Sequence, residues 1–266
     1  MKSVARRLAL VMGLGLILGI AAQPTEAQSL ADLKARGSLK VGMLVDFPPF
    51  GIINTDNKPD GYDADVAKAL ADALGLKLDL VAVTGPNRIP YLLSGQIDVL
   101  VASLGITPER AEKVTFSKPY AGIRTAVIGT AGTDFSAPDK LIGKRVGLAR
   151  ASTQDIAFTK VAKEGTLIQR FDDDASAVQA LLSGQVDAIG CSNVVIDQIL
   201  KVAPGRFEEK FALSQQVQGI AVRPGSTEFL GAIDKFLVEL KTSGKLNDIS
   251  KKWLGVPAAE FVLKTN

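Results

Sequence analysis

The chain has 266 residues, of which 31 are Lys or Arg and 28 are Asp or Glu, with 47 % apolar and 22 % charged residues. It contains no His and a single Cys, which excludes Ser-His-Asp and Cys-His catalysis, His-ligated metals, imidazole acid/base chemistry, an internal disulfide and every multi-Cys metal site. The length allows one or two globular domains with an ample core, and the charges alternate in sign without forming the basic stripe that nucleic acid requires.

Residues 1–27 read as an export signal. Lys2, Arg6 and Arg7 form a basic start, Leu8 to Ala22 is an apolar run, and Ala27 places a small residue before a cut that leaves Gln28 first. The run falls short of the roughly 20 residues that span a bilayer, which favours cleavage over an uncleaved anchor. A lipid anchor is disfavoured because no Cys stands at the cut. Removing the segment leaves a nearly neutral chain with no apolar stretch long enough to cross a membrane.

Strands and helices then alternate. Ser38 to Val45 is a short apolar strand. Tyr62 to Leu74 places Val66, Ala67, Leu70, Ala71 and Leu74 on one helical face and is closed by Gly75, and Lys77 to Val83 returns as a strand. This alternation predicts an α/β protein.

An internal repeat organises the rest. YLLSGQIDVLVAS at Tyr91 to Ser103 recurs as ALLSGQVDAIGCS at Ala180 to Ser192, and GSLKVG at Gly37 has a weaker echo in GKRVG at Gly143. Each long copy reads as a helix end, a Gly turn and a buried strand. The spacing is too long for a solenoid, so two related α/β lobes are expected, unless the motif is simply a helix-to-strand connector used twice. Open α/β sheets bind ligands beyond the carboxyl ends of their strands, so Ser103 and Ser192 are expected to face each other across a shared cleft.

VDFPPFGIINTDNKPDGYDADVAKALADALG, NRIPYLLSGQIDVLVASLGITPERAEKVTFSKPY, GKRVGLARASTQD, GIAVRPGS and KKWLG follow in that order along the chain. Together they resemble the polar amino-acid branch of the extracytoplasmic solute-binding proteins of ABC importers, over nearly all of residues 38–256. The resemblance implies a two-lobed periplasmic-binding-protein fold of type II. Lobe 1 would comprise 38–125 and 220–266, lobe 2 would comprise 126–219, and hinge crossings would fall near Gly122 to Ile128 and Val217 to Val222. It implies a periplasmic monomer without a cofactor that delivers a small amino acid or organic acid to a membrane ABC permease and does not bind nucleic acid. Two other classes stay open: a dehydratase resembling the cyclohexadienyl dehydratases, which would need a general acid beside Ser192 and Asn193, and a ligand-sensing module.

Candidate site residues follow from the residues and the resemblance together. Thr107 and Pro108 suit a helix start, and Arg110 in its first turn opposes the helix dipole, which a purely structural role would not favour. The resemblance gives Arg110 the ligand carboxylate, assisted by Ser103 and the backbone at Gly105, where relatives often carry a hydroxyl; pairing with Glu109 or Glu112 is the structural alternative. Phe47, before Pro48-Pro49, would be an aromatic platform with Phe50 mostly core. Leu44 stands where binders of cationic amino acids often carry an acid. Arg88 resembles a position reaching a second carboxylate, or else lies on the surface. Ser152 and Thr153 open a helix expected from about Gln154, as N-cap, ligand contacts or both. Ser192 occupies the place of the usual Asp that pairs with the ligand's ammonium, so either another acid substitutes or the preference shifts toward an organic acid. Cys191 reads as a small buried apolar residue rather than a reactive thiol.

Overall fold

The computed structural model describes residue 27 and residues 29–264, so the proposed export signal apart from Ala27 lies outside the described residues. Ser29 caps α1 (Leu30–Arg36), which leads into β1 (Ser38–Leu44). A small hairpin of β2 (Ile52–Ile53) and β3 (Pro59–Asp60) precedes α2 (Tyr62–Leu74). That helix ends where the sequence places its stop, with Gly75 at φ 68, a left-handed conformation that costs glycine little. Next come β4 (Lys77–Val83), α3 (Arg88–Leu93), β5 (Val99–Leu100) and the single turn α4 (Pro108–Ala111). The long strand β6 (Thr115–Thr130) carries the chain into β7 (Arg145–Ala149), α5 (Thr153–Val161), β8 (Leu167–Phe171), α6 (Asp174–Leu182), β9 (Ala188–Ser192) and α7 (Asn193–Val202). A second long strand, β10 (Phe207–Val222), returns it to α8 (Thr227–Thr242), α9 (Lys245–Leu254) and α10 (Glu260–Leu263).

The main sheet runs β4-β1-β5-β10-β6-β9-β7-β8. It consists of two halves of matching design. In the first, β1 lies between β4 and β5 and is parallel to both; in the second, β7 lies between β8 and β9 and is parallel to both. In each half the chain leaves the central strand, returns on one side and then crosses to the other. The carboxyl end of the central strand is therefore a topological switch point, where such sheets bind ligands. The strands β6 and β10 pair antiparallel along their length, with Gly122 opposite Val217, and join the halves through β5 at one end and β9 at the other.

The sequence repeat has a structural cause. Gly95 and Gly184 share φ 76 and turn the chain out of α3 and α6. Asp98 and Asp187 then fasten each returning segment to its central strand. Asp98 N–H donates to the Lys40 carbonyl and its Oδ2 accepts from Lys40 N, both at 2.8 Å. Asp187 N–H donates to the Arg145 carbonyl and its Oδ2 accepts from Arg145 N, again at 2.8 Å. Lys40 and Arg145 belong to the weaker echo, KVG and RVG, so both repeats describe one latch made twice. Asp187→Ala should free the Arg145 amide and remove a guanidinium partner, costing about 1–3 kcal/mol. Urea melts read this as a lower midpoint at unchanged slope, and an unchanged midpoint would count against the latch.

One apolar cluster joins β1, α2, β5 and α8 and continues through Ile128, Ile189 and Ile196. A smaller one around Val127, Val146, Leu148 and Phe158 lies within the second half. Cys191 is buried in β9, and burial raises its thiol well above the usual range, which makes it an inert core residue.

Candidate functional site

The carboxyl ends of both halves face a common cavity. Leu44 ends β1 and Asp46 and Phe47 follow it, Arg88 and Ser103 come from segments after β4 and β5, Ser152 and Thr153 follow β7, and Asp172 to Asp174 follow β8. Three non-glycine residues among those described have φ in the left-handed region, and two of them, Ser103 (φ 47) and Ala151 (φ 57), lie at this junction. Held strain of this kind costs about 1–3 kcal/mol and persists only where surrounding contacts enforce it.

Two guanidiniums converge on Ala151 beside this cavity: Arg88 lines it, whereas Arg110 lines an adjoining one that it shares with Arg88 and Ala151. Arg88 is buried, and donates from Nε to Gly85 O (3.2 Å), from one terminal nitrogen to Ala102 O (3.0 Å) and from the other to Ala151 O (3.3 Å). Arg110 donates to Gly105 O and to the same Ala151 O, both at 2.8 Å. Burial lowers Arg88 to about 10, and burial together with the positive Arg88 lowers Arg110 to about 9; both stay cationic at neutral pH. Arg88 is therefore not a surface residue. The helix start expected at Thr107 is only a four-residue turn, in which Thr107 Oγ1 and O both accept from Arg110 N, so what it presents is the guanidinium rather than free amides. Glu109 pairs with Lys160 across the two halves at 2.5 Å, leaving Arg110 to the backbone oxygens.

Behind the cavity lies a buried network invisible in the spacing. Asp63 Oδ2 accepts from Ser103 Oγ (2.9 Å), and its Oδ1 accepts from the Tyr120 hydroxyl (2.7 Å). The Ser103 amide in turn donates to the Tyr120 hydroxyl at 3.1 Å. Burial outweighs these hydrogen bonds and raises Asp63 to about 7. A carboxyl whose pKa is higher folded than unfolded binds extra protons in the native state, so stability falls as pH rises from about 4 to 7 and levels off above. The melting temperature should therefore be higher at pH 5 than at pH 7.5, and a rise over that interval would contradict the assignment.

Phe47 is 5 % exposed, lines the cavity and stacks on the fully buried Phe50 with ring centroids 5.4 Å apart. Ser152 caps α5 by accepting from Asp155 N at 3.1 Å, and Thr153, not Gln154, is the first helical residue. Gly105 does not line this cavity; it bridges to Gln218 and packs against Thr153. A side chain there would press on Gln216 Oε1 at 2.7 Å and Thr153 Oγ1 at 3.0 Å, so space accounts for the missing hydroxyl.

Ser192 departs from expectation. It does not line the cavity opposite Ser103; it is 1 % exposed, pairs with Thr125 and caps α7 by accepting from Val195 N at 3.3 Å. The physical reason is that α7 begins at the very next residue, and the open amides of its first turn claim the hydroxyl. Asn193 Oδ1 accepts from Arg124 N at 3.1 Å. Four acids that the site reading missed, Asp46 and Asp172 to Asp174, line the cavity. Three consecutive Asp after an apolar strand and before a helix were the available signal. Burial and the charge of Asp46 raise Asp174 to about 7, and burial with the charge of Asp173 raises Asp46.

Among the described residues, no helix is long and apolar enough to cross a membrane. Residues 39–256 match the family model for bacterial extracellular solute-binding proteins, family 3. The L-cystine-binding protein TcyJ of Escherichia coli K12 is 31 % identical over 92 % of this chain and 93 % of its own length. A crystal structure of the P235GK mutant of ArgBP from T. maritima superposes with TM-score 0.78 at 34 % identity, covering 85 % of this chain and 99 % of that one. An ancestral amino acid-binding protein, AncCDT-1, described as a precursor of cyclohexadienyl dehydratase, gives TM-score 0.77 at 29 % identity, covering 84 % and 98 %.

Proposed function

The chain belongs to the bacterial extracellular solute-binding proteins, family 3, and from that premise we propose that it captures a small carboxylate-bearing solute, an amino acid or a related organic acid, between two lobes in the periplasm and hands it to a membrane ABC permease. The observation that carries this reading is the convergence of Arg88 and Arg110 on one oxygen, that of Ala151, contributed by the opposite half. Two forked cations aimed at one acceptor form a site for a carboxylate. In this reading Arg110 and Arg88 hold the carboxylate, Phe47 forms the platform, and Ser103, Ser152 and Thr153 supply hydroxyls, with Gly105 supporting Arg110 through its carbonyl and Ser192 supporting α7. Lobe 1 comprises 38–125 and 220–266, lobe 2 comprises 126–219, and residues 1–27 direct export and are removed.

The role is capture without turnover, in a monomer that uses no cofactor. A solute touching both lobes binds the closed arrangement better and therefore draws the lobes together. Small-angle scattering should show a smaller radius of gyration when the mature chain is saturated with a solute found by thermal shift among amino acids, dicarboxylates and keto acids. An identical curve at saturation would remove the reading. Incubation with prephenate should release no phenylpyruvate, the outcome that separates capture from the dehydratase chemistry named for the descendants of AncCDT-1.

A further inference from the structure

We infer that the segment from Val256 to Leu263 is a strap across the hinge, which favours the closed arrangement of the two halves through the contact of Phe261 with Gly122. The inference rests on the two halves being lobes that move about β6 and β10, and it goes beyond that reading by giving one segment control of the motion. The family match ends at residue 256, where this segment begins.

The strap is anchored to the first half. Ser250 Oγ in α9 donates to Val256 O at 2.8 Å, and Asn247 Oδ1 of the same helix accepts from Ala258 N at 3.0 Å. That helix packs against α2 and α8. Further along, α10 lies on β6, and Val262 is 1 % exposed within the larger apolar cluster.

Its point of contact is a strand that joins the halves. A Cβ on Gly122 would stand 2.5 and 2.6 Å from Phe261 Cε2 and Cζ and 3.2 Å from Val262 Cγ2. Gly122 does not have φ in the left-handed region, so glycine serves close approach there rather than a turn. The ring therefore rests on the backbone of β6. Bending the strand at this point drives its backbone into the ring or draws it away, and either movement gives up contact that only the present arrangement makes. That arrangement is the closed one, since Glu109 meets Lys160 and Gln198 Nε2 donates to Pro48 O at 3.3 Å, both across the halves.

A cavity of about 710 Å³ separates the strap from the second half, walled by Phe50 and Tyr62 on one side and by Asn193 and Asp197 of α7 on the other. The strap thus grips the pivot without tying the second half down, which biases the motion and does not lock it.

The experiment places spin labels on the full mature chain through Lys113→Cys and Lys163→Cys, exposed positions after α4 in the first half and after α5 in the second. Cys191 is 1 % exposed, which leaves labelling to the introduced pair. Distances are measured by pulsed electron resonance without solute. Phe261→Ala, Gly122→Ala and a chain ending at Gly255 should each shift the mean to a longer distance and broaden the spread. Val256→Ala, which changes a 56 % exposed residue of the strap away from Gly122, should match the parent. Lys160→Glu sets like charges at the Glu109 contact and should lengthen the distance in any chain whose halves move. If Lys160→Glu lengthens it while either point variant at Phe261 or Gly122 matches the parent, or if Val256→Ala shifts it as far, the strap is overturned and the hinge stands. If Lys160→Glu leaves the distance unchanged, the two halves are not mobile lobes and the inference falls with that reading. Should the shortened chain lose its cooperative melt, the two point variants decide.

Discussion

Alanine at Gly51 should prevent the chain from reaching its native fold. A Cβ there would stand 1.8 Å from the Leu44 carbonyl oxygen and 2.7 Å from its carbon. Neither side can retreat. Leu44 ends β1, which pairs with β4 through that residue, and Gly51 is tied to Phe47 by two backbone hydrogen bonds of 2.9 and 3.1 Å. Overpacking against movable side chains costs about 1–3 kcal/mol; here the obstacle is backbone, and the cost approaches the roughly 5–15 kcal/mol that holds a domain together. Circular dichroism of purified Gly51→Ala should show no cooperative melt, or a midpoint more than about 10 °C lower. A melt matching that of the parent chain would show that the loop carrying Asp46 and Phe47 can be rebuilt.

Arg110→Ala should have the largest effect on binding. A charge-assisted hydrogen bond contributes about 1.5–3 kcal/mol, and each 1.4 kcal/mol is tenfold in affinity, so calorimetry should record a loss of about tenfold to a hundredfold or more. Arg110→Lys should recover little, because an ammonium cannot reproduce the fork that reaches Gly105 O and Ala151 O together. Folding should survive, since the turn bearing Arg110 is capped by Thr107 and begins with Pro108. Unchanged affinity in a folded variant would place the carboxylate elsewhere.

Features set by local spacing were legible in the chain. The face of Tyr62 to Leu74, the stop at Gly75 and the turns at Gly95 and Gly184 depend on neighbours a few residues away, and the structure places them as the sequence does. The Asp98 and Asp187 latches were visible as a repeat, although only the fold shows that Lys40 and Arg145 are their partners. The site divided differently. The structure places Phe47 on the cavity wall, whereas the hydroxyl of Ser192, which can serve either a solute or a helix start, is taken by α7. Asp63 and Tyr120 meet 57 residues apart, and Asp174 faces Asp46 from the far side of the cleft, so no local pattern announced either pairing.

If the two arginines hold the solute carboxylate as proposed, their shared grip on Ala151 makes solute entry an exchange rather than an addition. Two arginines already donate to a neutral carbonyl oxygen, so a solute group gains only the difference between its own attraction and that of a peptide oxygen. An amide or ester carbonyl offers almost no difference. A carboxylate does, because hydrogen bonds to an ionised acceptor are roughly twice as strong as neutral ones. The backbone oxygen of Ala151 thus acts as an internal reference that uncharged mimics fail to outcompete, and rejection of neutral analogues would arise from the protein's own backbone, without a steric filter.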